Sequence, residues 1–369
     1  MDLPRTELPR WLSSASVAWL GALLALLAVL LAGGFVWHER ADLREWHLRT
    51  TELYARTLED QANRSFNTVD IALTTLADTV RRGEDADLPA LAPTLTQALQ
   101  GLPFVRSLSV MDGTGRVRAS SVPGNVGVVV DLARVPLPAS AATDRLGELV
   151  PGRDLAEAGV QARPAAPGAG ARSFLPLVRA VADPLDRPHD QPPGDPLYLV
   201  AVLNLDHLAN EQQRLLEGTG QAAALLTIDG RMMAATDGVR LAPGEAAAGL
   251  PVFRKFLPTH ESGSYIGPGI DGGSVVAAFR TLRRRPIAVL VELNHDALQV
   301  DLNHTSLSVA GACAVALGVI AAMAGMAWRS LRSFEAVHAA LAVTREQVMR
   351  SESDLRTLVD SVHELVFRA

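Results

Sequence analysis

Four side chains offer chemistry at spacings that repeat. Arg179 and Tyr198 fall on two strand-like stretches, "SFLPLVRAV" and "PLYLVAVLNLDHL", and Tyr265 and Arg280 fall on a later one, "SYIGPGIDGGSVVAAFRTL". A guanidinium fixed on a strand can hold a carboxylate through two parallel hydrogen bonds, and a phenol can add another. This is binding chemistry, although the same arginines could pair with a nearby Asp or project outward from their strands. Catalytic patterns are lacking: there is no HExxH, no phosphate loop of GxxxxGKS type and no GxSxG elbow in the sequence. The histidines are dispersed, with His38, His47 and His338 on helix-like stretches, His189 and His260 in loops, and His207, His295 and His304 near strand ends. Lone histidines of this kind cap or solvate and do not gather a metal. A single Cys313 excludes an internal disulfide and a cysteine-based cluster. No cofactor, no metal and no enzymatic activity is expected of this chain.

The elements that must position these residues follow from composition. In 369 residues, 48% are hydrophobic, which is high for a chain wholly in water. The net charge is −6 and the basic residues are scattered, so no stripe suits a nucleic-acid backbone. Two charge-free runs, 16–37 and 307–328, are each about 22 residues, or ~33 Å as helix, enough to cross a bilayer. All five tryptophans (Trp11, Trp19, Trp37, Trp46 and Trp328) sit inside or near the ends of these runs. A cleaved signal peptide would show a basic leader, whereas Asp2 and Glu7 precede the first run. Arg329, Arg332 and Arg345 follow the second run and no Lys or Arg occurs in 287–306, so the positive-inside rule places both termini in the cytoplasm and 38–306 outside. A two-pass protein of the plasma (inner) membrane is the expectation.

Between the runs, 39–82 has no Pro or Gly, and Leu43, Trp46, Leu53, Leu58, Ala62, Phe66, Val69, Leu73, Leu76 and Val80 form an apolar stripe. This predicts a long stalk helix whose stripe is covered either by a sheet or by a second copy. A short helix is expected over 88–100. Then "VMDGTGRVRASS" and "TIDGRMMAATDG" read as two hairpins built alike around Asp-Gly turns. Each hairpin opens a unit that closes alike, "PLVRAV" then "LVAVLNLDHL" in the first, "AAFRTL" then "AVLVELNHDAL" in the second. A Pro/Gly/Ala-rich loop is expected over 161–172 and a short helix at "LPVFRKFLP". The ordered repetition predicts two modules in tandem, and isolated Asp-Gly turns do not account for it.

A membrane span, a long helix, two PAS-like modules and a return span resemble the double Cache sensor domains of bacterial receptors, over about 39–298 of this chain. The resemblance implies an α/β architecture of the α+β kind: two transmembrane helices flanking a long helix and two tandem antiparallel sheet modules, followed by a coiled-coil signalling helix. Its divisions are a cytoplasmic N-terminus (1–15), first span (16–37), external sensor (38–306), second span (307–328), coiled-coil linker (329–354) and a PAS-like start (355–369). Within the sensor, 39–82 is the stalk, 83–210 the membrane-distal module and 211–306 the membrane-proximal one. In similar receptors the distal module commonly holds the ligand, between the sheet and the loops covering it. That implies a small-molecule ligand, carboxylate-bearing if Arg179 holds it, with Arg179, Tyr198, Tyr265 and Arg280 as the ligand-binding candidates. The paired aromatics beside Arg that mark an amino-acid site are lacking.

After the second run, Phe334, Leu341, Val348, Leu355 and Val362 recur at sevens, with Val337, Thr344, Ser351, Leu358 and Leu365 offset by three. With the small-residue face Ala310, Ala314, Gly318 and Ala322, this points to a parallel homodimer, the alternative being a solvated juxtamembrane helix. The last stretch, "SDLRTLVDSVHELVFRA", resembles the opening helix and first strand of a cytoplasmic PAS domain. "HEL" at 363–365 is not the phosphoacceptor box of a histidine kinase, because Val366, Phe367 and Arg368 follow it. Similar receptors end in a diguanylate cyclase, a histidine kinase or a methyl-accepting domain, and this chain reads as the sensory half of such a receptor. A membrane-anchored protein whose external modules bind another protein is the alternative function.

Overall fold

The computed structural model describes residues 14–82, 88–159, 172–182 and 196–366. The expected Pro/Gly/Ala-rich loop falls almost wholly outside these residues, as do Trp11 and His189. Five helices and eleven strands are present among the described residues, and all strand pairings are antiparallel.

Helix α1 (Ser14–Arg82) is continuous, because no helix breaker follows the glycine pair Gly33 and Gly34 until Gly83. Over 43–82 its buried apolar side chains are Ala55, Leu58, Ala62, Phe66, Val69, Leu73, Leu76, Ala77 and Val80, one face at helical spacing. What covers that face is a pair of sheets. A 3-10 turn (Leu88–Leu91) and α2 (Ala92–Gln100) lead into the first. It consists of β1 (Val105–Asp112), β2 (Val117–Ser120), β3 (Arg145–Leu146), β4 (Val150–Pro151), β5 (Ser173–Ala180) and β6 (Leu197–Leu203), with α3 (Leu155–Ala158) between β4 and β5. The order is β2-β1-β6-β5-β3, and β4 also pairs with β5. Helix α4 (Leu205–Leu216) joins this sheet to the second, which holds β7 (Gln221–Thr227), β8 (Met232–Ala235), β9 (Ser262–Pro268), β10 (Ser274–Thr281) and β11 (Ile287–Asn294) in the order β8-β7-β11-β10-β9. A π-helical turn, Val252–Phe256, stands where a short helix is expected.

Each strand divides its side chains between two faces. Leu108, Val110, Leu175, Leu177, Leu199 and Ala201 of the first sheet, with Leu225, Val289 and Val291 of the second, pack with α1 in one core. Each fully buried Leu or Val there contributes about 1.5–3 kcal/mol. The opposite faces form separate apolar clusters under the connecting segments, around Phe174, Tyr198 and Val202 in the first sheet and Tyr265, Phe279 and Leu290 in the second. Trp46 and Leu53, read as part of the stripe, lie on the exposed side of α1.

The two sheets share a strand order, but their hairpins correspond in a register that differs from the one in the sequence. A bulge interrupts the first hairpin between Val110 and Met111 and the second between Leu225 and Leu226. Met111 opposes Val117 and Leu226 opposes Met232, so Gly115 corresponds to Gly230, and the Asp112-Gly113 pair does not correspond to Asp229-Gly230. Gly115 and Gly230 both have φ of 83°, a conformation that glycine adopts without penalty. Asp112 takes the place of Thr227: the Asp112 Oδ1 and Thr227 Oγ1 atoms accept from the Arg116 and Arg231 amides at 3.1 and 2.9 Å. The correspondence runs on into the covering loops, where Val130 N donates to Gly115 O and Ala247 N to Gly230 O. The same order recurs at the end: α4 follows β6 as α5 (His295–Val366) follows β11. Helix α4 runs across residues 210 and 211.

In the remaining unit, residues 14–42 and 300–366, two apolar helical segments are long enough to cross a membrane. They approach closely where a Cβ on Gly21 would lie 3.0 Å from the Ala324 Cβ, and Arg40 donates to the Ser306 hydroxyl at 3.3 Å. Ala310, Ala314, Gly318 and Ala322 are exposed, as are Phe334, Val337, Leu341 and Val348 beyond them. Helix α5 continues through Val366, so no PAS strand forms among the described residues, and Phe367 to Ala369 lie outside them.

Candidate functional site

Strand alternation sets which face of its sheet each of the four expected residues occupies. Arg179 lies between Val178 and Ala180, which belong to the covered face of the first sheet, and so projects with Leu177 and Val181 toward α1. There its Nη1 donates to Asp144 Oδ1 at 2.7 Å, with the two side chains 15% and 8% exposed. The other Asp144 oxygen is 3.5 Å from Arg285, which also binds Asp70 of α1. Burial pushes the Asp70 carboxyl up to about 6 against the opposing pull of Arg285, and Asp144 raises it further. Arg280 is the register equivalent of Arg179, opposite Val289 as Arg179 is opposite Leu199. It too faces α1, with its Nε donating to Glu59 Oε2 at 2.6 Å. Each guanidinium thus pairs with a carboxylate, the alternative left open by the sequence: Arg280 ties the second sheet to α1, and Arg285 links Asp144, the partner of Arg179, to Asp70 of the helix.

The tyrosines lie on the other side. Tyr198, on central strand β6, joins Met111, Phe174, Val178 and Val202 under the cover of the first sheet. Tyr265, on edge strand β9, joins Ala277, Phe279 and Leu290 under the cover of the second. They are not equivalent, because the position of Tyr198 is taken by Ala288 in the second sheet. Neither arginine is brought to its tyrosine.

Polar groups that the sequence reading missed are built into both covered faces. In the first, Ser107 and Ser109 on β1 and Ser120 on β2 meet Asn125 and Asp154 from the covering segment. Asp154 Oδ1 accepts from Ser107 Oγ at 2.6 Å, from Asn125 Nδ2 at 2.8 Å and from the Leu155 amide at 2.7 Å. Asn125 Oδ1 accepts from the Ala156 amide at 2.9 Å, and Ser109 and Ser120 pair at 2.9 Å. Asn125 is fully buried, so this network fastens cover to sheet. Serines at alternate positions of a strand that otherwise reads as apolar are the signal for it. At the hairpin tip, burial would raise the Asp112 carboxyl, but hydrogen bonds from Thr114 and Arg116, with Arg118 nearby, hold it below the usual range.

In the second face, Glu292 on β11 is opposite Ala277, which is opposite Tyr265. Both Glu292 oxygens are 3.1 Å from the Ile270 amide. Burial pushes its carboxyl up to about 7, the Ile270 bond opposes this and Asp271 reinforces it. The Tyr265 ring stacks on Phe256 at 5.5 Å, and burial together with Glu292 raises its phenol above the ordinary range. Beside the β10–β11 turn is an open cleft of about 370 Å³, lined in part by Arg283, Arg284, His260 and Leu257. No group of metal-binding side chains occurs among the described residues.

No protein-family model matches the sequence, and no curated protein matches it. Solved structures do. The extracellular domain of rpHK1S-Z16, a protein assigned as a histidine kinase, aligns with a TM-score of 0.53 at 19% identity, over 68% of this chain and 95% of that domain. The ligand-binding domain of the Pseudomonas fluorescens chemoreceptor CtaA, solved with L-isoleucine, aligns with a TM-score of 0.46 at 14% identity, over 70% of this chain and 97% of that one. The first likeness shows that the two share a fold.

Proposed function

We propose that this chain is the sensory part of a transmembrane receptor that binds an extracytoplasmic small molecule. The observation that carries the proposal is continuity: the helix on which both sheets pack is the one that contains the first apolar run, and the last strand, β11, passes without a loop into the helix that contains the second. A shift of either sheet against α1 is thus applied directly to a membrane-crossing helix. The two sheets correspond to the membrane-distal and membrane-proximal modules of a double Cache sensor. The ligand occupies a covered face, beside Tyr198 in the first module or Tyr265 in the second, while Arg280 and Arg285 hold the second sheet against the stalk and Arg179 pairs with Asp144. Beyond the second span, the sevenfold apolar repeat from Phe334 forms a parallel coiled coil in a homodimer. It passes the change to a cytoplasmic output region of diguanylate cyclase or histidine kinase type.

Thermal unfolding of the purified full chain with a panel of metabolites tests this. A ligand at a hundred times its dissociation constant adds ~2.7 kcal/mol, so one compound class should raise the midpoint by several degrees. Failure of every small-molecule class to do so would overturn the sensor reading.

A further inference from the structure

On the covered face of the second sheet, three adjacent strands present Glu292, Ala277 and Tyr265 in one row. The small Ala277 side chain stands between a carboxylate and a phenol that are two strand spacings apart, roughly 10 Å at the backbone. On the far side of Glu292 the opposing residue is also small, Ala222. The rings of Phe256 and Tyr265 stack at 5.5 Å, and Phe279 lies 5.9 Å from Phe256, so the row borders aromatic surface.

The polar groups of this row are incompletely used. The Tyr265 hydroxyl is buried without a hydrogen-bond partner among the described residues, and the residue is only 8% exposed. A carboxylate can accept about four hydrogen bonds, and both Glu292 oxygens are turned to a single amide, that of Ile270. The fold does not need an acid here. The register equivalents in the first sheet are Val202 and Pro176, which pair with each other as Glu292 and Ala277 do.

We propose that the Glu292–Ala277–Tyr265 row is a binding position for a small protonated amine. The ammonium group donates to the Glu292 carboxylate and to the Tyr265 oxygen, beside the aromatic cluster of Tyr265, Phe256 and Phe279. A cation there also offsets the negative charge of Asp271 acting on Glu292. Without one, burial and Asp271 keep Glu292 up near 7. A neutral alcohol of the same size lacks the charge, and a carboxylate is repelled. This site deepens the sensor reading, on which it rests for its access to the outside of the membrane.

The test is thermal unfolding of the full chain in detergent micelles at pH 7.5, with propylamine as probe and propanol and propionate as neutral and anionic controls. Propylamine should raise the midpoint by several degrees and the controls should not. Glu292→Gln should abolish the shift, and Tyr265→Phe, which removes only the hydroxyl, should weaken the apparent affinity about tenfold, equivalent to ~1.4 kcal/mol. If Glu292→Gln does not fold, Tyr265→Phe alone decides. No shift with propylamine, or an equal shift in the variants, overturns the site. A different ligand that stabilises the protein while propylamine does nothing would leave the sensor reading standing and remove this one.

Discussion

Replacing Arg179 by Ala should destabilise the folded two-sheet region and leave ligand affinity almost unchanged. The guanidinium is 2.7 Å from Asp144, and both side chains are largely buried. Two unit charges about 4 Å apart attract by roughly 4 kcal/mol at an effective dielectric of 20, and removing one partner of a buried pair commonly costs 3–5 kcal/mol, because the other charge remains. Here Arg285 still stands 3.5 Å from the second Asp144 oxygen, so the expected loss is smaller, about 2–3 kcal/mol. At roughly 2–4 °C per kcal/mol for a region of this size, the unfolding midpoint should fall by about 5–10 °C. Urea and thermal unfolding of the full chain, read by circular dichroism, measure this. The Arg179→Ala/Asp144→Ala pair should lose about 1–2 kcal/mol less than the sum of its members, as expected for residues in one charge network. A loss under about 0.5 kcal/mol, within the range of an exposed pair, together with a tenfold drop in ligand affinity, would refute the reasoning and return Arg179 to the ligand.

Three further outcomes are expected. Glu292 has its carboxyl raised from 4.5 to about 7 in the folded protein, so the fold binds that proton more tightly than the unfolded chain does. Its stabilisation is present below pH 4.5 and is lost as pH rises through 7. Glu292→Gln should remove this dependence and stabilise the protein at pH 8 by up to about 3 kcal/mol, as read by unfolding across pH; an unchanged pH profile would contradict it. Gly230→Ala should cost about 1–3 kcal/mol, more than Gly238→Ala, because a Cβ on Gly230 would lie 2.8 Å from Ala248 backbone whereas Gly238 has open space; unfolding midpoints of the two variants decide. Cysteines placed at Leu341 or Val348, both exposed in the single chain, should crosslink between chains if the sevenfold repeat is a parallel seam, and failure at both positions would count against the dimer.

How far the sequence could be read depended on periodicity. The stalk was legible because 44 residues, 39–82, carry no breaker and keep one apolar face, and that face is the one the sheets cover. The tandem hairpins were legible as well, but their alignment was misled by the Asp-Gly pair at 112–113. The left-handed turn position belongs to Gly115, a distinction made by hydrogen bonds to Asp112 and Thr227 that the letters alone do not reveal. Helix α4 was missed because its opening, "LNLDHL", continues the apolar run of β6. The candidate site was half legible. Arg179 and Arg280 do occupy equivalent positions, but strand alternation puts them on the helix side, and one residue's shift in register exchanges the faces. Glu292 was hidden within "AVLVELNHDAL", where one acid in an apolar strand could as well have been solvated.

The most direct test concerns which side of the membrane the sheets occupy. With Cys313 replaced by Ser, a single cysteine at Leu53, on the exposed side of α1, or at Val343, beyond the second apolar run, is treated with a membrane-impermeant maleimide in intact cells. An outward-facing sensor with a cytoplasmic C-terminal helix predicts labelling of Leu53→Cys in intact cells and of Val343→Cys only after permeabilisation. Labelling of Val343→Cys from outside, with Leu53→Cys protected, would contradict it.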